Sequence, residues 1–436
     1  MTGSQPIPRY ADTMQNTMNT IYLDNNSTTV ISPTVAATIA QCYQQRYVNP
    51  ASQHRMGQAA RRELERLRTE MIAMLGGVAT GMQTDRLIIT SGGTESNNLA
   101  LAGLAAAGKN KHASNNQQEQ TRGQTRAQTR DQTRAQLQTP RILISAVEHP
   151  SVLTFAHHLG TAGYRVETLP VDHDGVVDLD DLQRKIDTHD QDPIALVSIM
   201  AVNNETGVIQ PVQRAAAACR QLGIYFHCDA VQAVGKTEVN FTDLGVDSMS
   251  MTAHKFHGPR GVGGLMVRHG VELSAMLLGG FQQMATRPGT EDVALAAGMH
   301  QALKEFQRDT QRESTIARLR DRLQAGLQKI DPTVIVNGAD AQRNAHTLNV
   351  SFAGINRQAF LMAADFAGLA ISTGSACASG SSDPSHVIIA MGGNNDVVEG
   401  SIRFSLGAYN TEQEIDTCLT ICKQILNKLS TSSGSF

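Results

Sequence analysis

The feature that most limits how this chain can fold is a regular alternation of short apolar segments with longer segments of helical period. Helical period is clearest at 58–74, where Arg and Glu share one face, and at 412–429, where Ile and Leu recur every three or four residues. This alternation predicts an α/β domain with a mostly parallel sheet, in which ligands bind at the carboxyl ends of the strands. The six segments predicted as strands are 86–90, 141–145, 194–199, 224–228, 248–251 and 264–267.

The length of the chain predicts more than one domain, because its 436 residues exceed what a single hydrophobic core usually holds. The character of the sequence changes after Gly279 and Gly280. We therefore predict a large domain at 31–278 and a smaller C-terminal domain at 279–436. The N-terminal segment 1–30 includes a short apolar stretch at 21–23, which we expect to pack with the small domain.

Charge and cysteine content argue against several classes of partner. Lys and Arg number 37 against 40 Asp and Glu, a formal charge of -3 that gives no field for holding nucleic acid or an anionic membrane. Small molecules and proteins are the expected partners. The six cysteines lack the paired spacing of a zinc site and are interpreted as reduced thiols without a metal. Residues 1–20 are polar and lack the apolar core of a signal peptide, which favours the cytoplasm.

A low-complexity segment interrupts the α/β pattern at residues 109–140. Gln-Thr-Arg recurs every four residues from 120 to 134, and apolar residues are few. Because such a segment buries too little apolar surface to offset the entropy of ordering, we predict a solvated, mobile surface loop. Binding of a partner or of RNA through its four arginines is the alternative.

A lysine and an aspartate at predicted strand ends suggest a site for an aldehyde cofactor. Lys255 follows the strand at 248–251 and precedes a Gly-rich turn, and a lysine amine can condense with an aldehyde to form a Schiff base. Asp229 ends the strand at 224–228, where a buried acid needs a cationic partner such as a protonated pyridine nitrogen. The alternatives are a solvated surface lysine and a helix N-cap aspartate.

Two further strand ends carry groups suited to anion binding and proton transfer. A Gly-Gly-Thr turn at 92–94 follows the strand at 86–90, and backbone N–H groups at such a helix start suit a phosphate monoester. His149 follows the strand at 141–145, where an imidazole can stack on a ring and carry protons. Taken alone, the turn is also typical of an ordinary strand-to-helix loop. The histidine taken alone is also typical of a core residue with satisfied hydrogen bonds.

Together these blocks resemble the cysteine desulfurases of aminotransferase class V, a subgroup of the fold-type I pyridoxal-phosphate enzymes. The resemblance runs nearly end to end. The segments that carry it are 22–29, 49–54, 90–98, 202–207, 229–232, 254–255, 374–377 and 401–405. It implies a fold-type I transferase with a large domain, whose mostly parallel seven-stranded sheet is flanked by helices, and a smaller α+β C-terminal domain.

The resemblance also implies roles for individual residues. Lys255 would bind pyridoxal phosphate, Asp229 would pair with its ring nitrogen, and His149 would stack on its ring. Arg403 would bind the substrate carboxylate, with Asn349 and Asn26 nearby. The residues implied to contact the ring hydroxyl side or the phosphate are Asn204, Gln232, Gly93, Thr94, Thr252, His254 and, from the second subunit of a homodimer, Thr290.

Cys377 is the residue on which the implied reaction depends. It lies in a segment of Gly, Ser, Thr and Ala at 372–382, where no side chain can pack a core. We therefore predict an exposed, mobile thiol instead of a small buried hydrophobe, and the resemblance to the family implies that its thiolate is the nucleophile. The implied reaction converts L-cysteine to L-alanine and leaves the sulfur on Cys377 as a persulfide. In its length, this loop resembles that of the branch of the family that passes sulfur to iron–sulfur scaffold proteins. The resemblance implies that Cys377 would contact a cluster on such a scaffold protein.

Other activities remain open at the level of sequence. A selenocysteine lyase, or a desulfurase that serves tRNA thiolation, would use the same residues. A class V aminotransferase would need Lys255 and Asp229 but no reactive thiol. An inactive chain that regulates a partner is the non-enzymatic alternative.

Overall fold

The computed structural model describes residues 20–45, 47–122, 139–374 and 383–432. Cys377 and residues 123–138 lie outside these ranges, so what the sequence predicts for them stays a prediction. The strands are β1 (Ile21–Tyr22), β2 (Arg86–Thr90), β3 (Arg141–Ser145), β4 (Arg165–Leu169), β5 (Ile194–Ser198), β6 (Tyr225–Asp229), β7 (Ser248–Thr252), β8 (Gly263–Val267), β9 (Ile335–Val336), β10 (Thr347–Ser351), β11 (Leu369–Ala370) and β12 (Ser401–Ser405). The helices are α1 (Pro33–Gln44), α2 (Arg55–Met74), α3 (Gly93–Arg122), α4 (Pro150–Thr161), α5 (Leu179–Ile186), α6 (Val212–Gln221), α7 (Phe241–Leu244), α8 (Val293–Arg308), α9 (Arg312–Ile330), α10 (Arg357–Phe366), α11 (His386–Ala390), α12 (Asn395–Glu399) and α13 (Glu412–Ser432).

The largest sheet has seven strands in the order β2-β8-β7-β6-β5-β3-β4. Neighbours from β7 to β4 are parallel, whereas β8 is antiparallel to both β2 and β7. The predicted α/β fold with a mostly parallel seven-stranded sheet is therefore confirmed. All six predicted strands are present, with ends that differ by at most one residue, and β4 is an additional edge strand.

Helices cover both faces of this sheet. On one face, Leu101 and Leu104 of α3 lie in a buried cluster with Ile144 and Leu196 from the strands. On the other face, residues of α1, α2 and α8 are buried with the opposite sides of the same strands. The site at the strand ends is therefore supported by a three-layer core. None of the helices within the described ranges is both long enough and apolar enough to span a lipid bilayer.

The prediction of a loop at 109–140 is wrong for residues 109–122, because α3 continues as helix to Arg122. Lys111 Nζ donates a hydrogen bond to the Gly223 carbonyl at 2.7 Å, and the His112 ring contacts the Ile194 carbonyl at 3.2 Å. The Lys109 ammonium also lies 5.5 Å from the centre of the Tyr164 ring. These polar contacts to neighbouring strand ends stabilise a helix that its composition alone would not predict.

A second core lies in the C-terminal part of the chain. It joins α9, α10 and α13 to the three-stranded sheet β12-β10-β9, and it includes Ile21 and Leu23. Strand β1 pairs in parallel with β11, with Ile21 opposite Leu369. Helix α8 follows residue 279 but packs in the first core through Met299 and Leu303. The division into domains remains a prediction, and the change of core lies between α8 and α9 instead of at residue 279.

Candidate active site

Five strand ends meet at one edge of the seven-stranded sheet. Strands β3, β5, β6 and β7 run in parallel, and β2 runs in the same direction because both it and β7 are antiparallel to β8. The segments that follow these strands enclose a cavity of about 200 Å³. Its lining consists of Gly93, Thr94, Asn97, His149, Ser151, Met200, Asn204, Asp229, Val231, Gln232, Thr252, His254 and Lys255. Nine residues predicted from the sequence therefore line one cavity.

Asp229, the last residue of β6, is almost fully buried at 3% exposure. Its Oδ1 accepts the Val231 N–H at 2.9 Å, and its Oδ2 accepts the side-chain N–H of Asn97 at 2.8 Å. The Asn97 amide nitrogen also donates to Ser151 Oγ at 2.8 Å, and its oxygen faces His227 Nε2 at 3.1 Å. Because a carboxylate can only accept, the Asn97 nitrogen must face Asp229, and His227 must then donate from Nε2.

His149 caps the N-terminus of α4 with its side chain. Its Nδ1 accepts the Ser151 N–H at 3.1 Å and lies 2.8 Å from Ser151 Oγ, whose own lone pair accepts from Asn97. The neutral ring therefore carries its proton on Nε2. Burial lowers the pKa of His149, while the nearby Asp229 carboxylate acts in the opposite direction. The ring that lines the cavity is thus held in one orientation by the helix start.

Lys255 lies in a single helical turn directly after β7. Its Nζ donates to the backbone carbonyls of Asn26 at 2.5 Å and of Ser27 at 2.8 Å. The turn at 24–27 follows β1, and Asn25 in it donates to the Ser405 carbonyl at 2.9 Å. The Lys255 amine is therefore held by a turn that the C-terminal part of the chain also fixes.

Asn26 is the central residue of this turn. Its side-chain nitrogen donates to the Asn204 carbonyl at 3.1 Å and to Thr347 Oγ1 at 2.8 Å. Its backbone carbonyl accepts from Gln232 Nε2 at 3.0 Å as well as from Lys255. Asn26 thus joins three residues predicted for the site, although it is not itself among those that line the cavity.

Arg403 on β12 has no exposed surface. Its guanidinium donates to the Asn204 carbonyl at 3.0 Å and, at 2.8 Å each, to Asp24 Oδ1 and Ser27 Oγ, while Nε has no partner among the described residues. Asn349 lies opposite Arg403 in the β10–β12 ladder. Its amide is occupied by Asn337, Ser401 and the carbonyl of Glu205, so its side chain is not part of the cavity lining.

The turn at 92–94 lies where the sequence predicts a phosphate site. Glu95 Oε2 accepts the Ser91 N–H at 2.6 Å, and the Arg287 guanidinium binds the same carboxylate, which fixes the turn. A side chain at Gly93 would lie 2.7 Å from Val231 Cγ2, so the backbone can approach the cavity closely only without one. Burial and the neighbouring cations lower the pKa of His254 to about 4, which leaves it neutral near pH 7.

Thr290, like Asn26, Asn349 and Arg403, is not among the residues that line the cavity of this chain. Thr290 is exposed and lines a separate depression with Cys42 and Tyr43. A contact with the site of a second subunit remains a prediction. Cys377 lies outside the described residues, between Gly374 and Asp383.

The sequence reasoning did not assign Asn97, Ser151, Glu148 or Lys236. Asn97 lies one helical turn after Gly93, and this spacing alone could have suggested it. Glu148 is fully buried beside the Asp229 carboxylate, and burial raises its pKa to about 8. Its Oε1 accepts from the Ser145 hydroxyl and the Met200 N–H at 2.6 Å each, while Oε2 has no partner within the described part of the chain.

The sheet order and the cavity at its carboxyl edge define the class of fold-type I transferases. The sequence pattern of the family described as Aminotransferase class-V matches residues 21–119 and 121–418. The chain belongs to this family. A protein of Dictyoglomus turgidum named cysteine desulfurase IscS is 37% identical over 419 residues, which cover 95% of this chain and 96% of that protein.

Two solved structures support the same assignment. One is described as a NIFS-like protein; it is 30% identical, with a TM-score of 0.79 over 94% of this chain and 100% of that one. The other is described as SspA in complex with cysteine; it is 25% identical, with a TM-score of 0.70 over 90% of this chain and 100% of that one. The resemblance to cysteine desulfurases predicted from the sequence is confirmed.

Proposed function

We propose that this chain is a cysteine desulfurase that uses pyridoxal phosphate to move sulfur from L-cysteine to Cys377 and releases L-alanine. The observation that carries the proposal is that Lys255 and Asp229 line one cavity with His149, in a chain that belongs to the class V family. The similarity to a protein named cysteine desulfurase, and to a structure described as holding cysteine, supports the substrate.

The residues around the cavity fit pyridoxal phosphate. Among the described contacts of Asp229 there is an amide, an N–H and a hydroxyl but no cation, which suits a protonated pyridine nitrogen. The buried Oδ1 of Asn204 also has no described partner, and Gln232 lies on the same lining. These two would contact the ring hydroxyl side. Gly93, Thr94, Thr252 and His254 would hold the phosphate. When bound, the cofactor supplies an electron sink for the substrate Cα.

Lys255 would bind the cofactor aldehyde and then, once displaced by the substrate amine, remove the Cα proton. In the structure, the Nζ of Lys255 is held at the cavity by the carbonyls of Asn26 and Ser27. Arg403 would hold the substrate carboxylate, since its Nε has no partner among the described residues. Its Nη1 is held by the Asn204 carbonyl, and its Nη2 by Asp24 and Ser27. His149, neutral with its proton on Nε2, would stack on the ring and serve proton transfer with the thiol.

The sulfur transfer balances without an external oxidant. The Cys377 thiolate attacks the sulfur of cysteine, so that an S–S bond forms and the Cβ–S bond breaks. The electron pair of that bond stays with Cβ, which takes up a proton to become the methyl group of alanine. Cys377 is left as a persulfide, whose terminal sulfur passes to an acceptor protein, such as an iron–sulfur scaffold. We also propose a homodimer in which Thr290 reaches the phosphate of the other subunit.

The test is to incubate the purified chain with pyridoxal phosphate, L-cysteine and a thiol reductant, which releases the persulfide sulfur as sulfide, and to assay alanine and sulfide. Cys377→Ser should keep the visible absorbance of the bound cofactor but lose sulfur release. Cys42→Ser, at a buried thiol of α1, is the matched control and should retain turnover. Continued turnover by Cys377→Ser would favour an aminotransferase instead. A strong preference for selenocysteine in the same assay would favour a selenocysteine lyase.

A further inference from the structure

The buried amine of Lys236 has no role in the reaction as proposed so far. Lys236 lies in the turn after β6 and is 1% exposed. Its Nζ donates to Asn26 Oδ1 at 2.7 Å and to Gln232 Oε1 at 2.5 Å. Both acceptors are neutral amides, and no carboxylate contacts the amine within the described residues. A buried lysine without a counterion is costly, so its retention needs a reason.

The surroundings of Lys236 make this cost clear. Burial, together with the cations of Lys255 and Arg403, lowers its pKa well below the usual value, and only Asp24 acts in the opposite direction. An apolar side chain of the same length would avoid the penalty. What such a side chain could not do is donate hydrogen bonds to two amide oxygens at once.

Those two bonds determine how Gln232 faces the cavity. Its Oε1 is held by the Lys236 amine, and its Nε2 donates to the Asn26 carbonyl at 3.0 Å. The reversed amide would place Nε2 against the amine and Oε1 against a carbonyl oxygen. Lys236 also holds the Asn26 side chain, whose backbone carbonyl accepts from Lys255. One amine therefore supports both Gln232 and the residue that holds the reactive lysine.

We propose that Lys236 is a positioning residue that acts through Gln232: it fixes the amide so that the N–H side of Gln232, and not its oxygen, is available to the ring oxygen of the cofactor. This inference rests on the proposed function, because it concerns binding of pyridoxal phosphate at that site. It adds a residue that lies behind the lining and does not touch the cofactor.

The test is a double-mutant cycle on binding of pyridoxal phosphate to the apoprotein, measured by absorbance titration. Lys236→Met should raise the dissociation constant about tenfold, as expected for loss of the buried hydrogen bond that orients Gln232. Gln232→Ala should weaken binding at least as much. In the Gln232→Ala background, Lys236→Met should have no further effect. Lys185→Met, at a lysine that pairs with Glu167 and Asp181, is the matched control and should bind as wild type.

Three outcomes would overturn the inference. One is wild-type affinity in Lys236→Met, and another is an equal loss in both backgrounds, which would assign Lys236 a general structural role. The third is failure of the wild-type chain to bind pyridoxal phosphate, which alone would also overturn the proposed function. If Lys236→Met does not fold, the cycle is repeated with Lys236→Gln. In either case, NMR of the Gln232 side-chain amide should show one protected proton in wild-type apoprotein, the one bonded to the Asn26 carbonyl, and faster exchange of that proton in the Lys236 variant.

Discussion

Replacing Asn97 with alanine should destabilise the apoprotein by about 3 kcal/mol. Asn97 is 1% exposed and makes three side-chain hydrogen bonds, to Asp229, Ser151 and His227. Each such bond contributes about 1 kcal/mol, and a buried donor left without a partner costs about 1–3 kcal/mol. The substitution also gains about 0.6 kcal/mol, because alanine favours the helix more than asparagine does. The free energy lost with the hydrogen bonds therefore exceeds the gain in helix propensity.

Asn98→Ala isolates the effect of this network. Asn98 is the next residue of α3, so it brings the same gain in helix propensity, and within the described part of the chain its amide donates to the Thr94 carbonyl alone, at 2.9 Å. Urea unfolding of both apoproteins, followed by circular dichroism, should give midpoints that differ in favour of Asn98→Ala. Equal midpoints, or a difference below about 1 kcal/mol, would refute the claim that Asn97 holds the Asp229 carboxylate and the His149 cap together.

Three other perturbations test separate parts of the structure. Arg403→Lys should raise KM for L-cysteine about tenfold with a smaller change in kcat, since a lysine ammonium cannot both replace the bonds of the guanidinium to its neighbours and donate to the substrate carboxylate; an unchanged KM would contradict this role. Burial raises the pKa of Glu148 from 4.5 to about 8, so the folded chain holds an extra proton between these values and loses stability as pH rises through them. In Glu148→Gln, the unfolding midpoint should therefore fall less between pH 5 and about 8 than it does in wild type. Parallel plots of midpoint against pH for the two proteins would exclude a contribution from the Glu148 proton. Gly108→Ala should destabilise the protein by about 1–3 kcal/mol despite the better helix propensity of alanine, because a Cβ there would lie 2.3 Å from the Ala195 carbonyl oxygen; a stabilised variant, measured by thermal unfolding, would contradict that packing.

The central strands were predictable from the sequence because they are buried on both faces and read as unbroken apolar or small-residue segments. Strand β4 was not, since it lies at the sheet edge and Arg165–Leu169 carries charged residues with only its last residue buried. The helical continuation of α3 past residue 108 was missed for a different reason. It depends on contacts of Lys111 and His112 with distant carbonyls, which composition cannot reveal.

The residues of the candidate site likewise divide into those that the sequence predicts and those that it does not. Residues that follow strands, such as Asp229, His149 and Lys255, could be found because the carboxyl ends of parallel strands share one edge. Asn97 and Lys236 act on other side chains and lie within a helix and a turn, where an asparagine or a lysine has many ordinary uses. Their contacts became evident only when residues distant in sequence were brought together.

The turn at 24–27 has a consequence for the order in which a newly made chain can complete its cavity. Asn25 is bonded to Ser405 across 380 positions, and Arg403 binds Asp24 in the same turn. During synthesis on the ribosome, the sheet and its strand ends can therefore form before β12 has been made and can bind the turn at 24–27. A product that terminates before residue 401 would contain every residue that lines the cavity but would lack β12, to which the turn that holds Lys255 is bonded, so incomplete chains should position the Lys255 amine poorly.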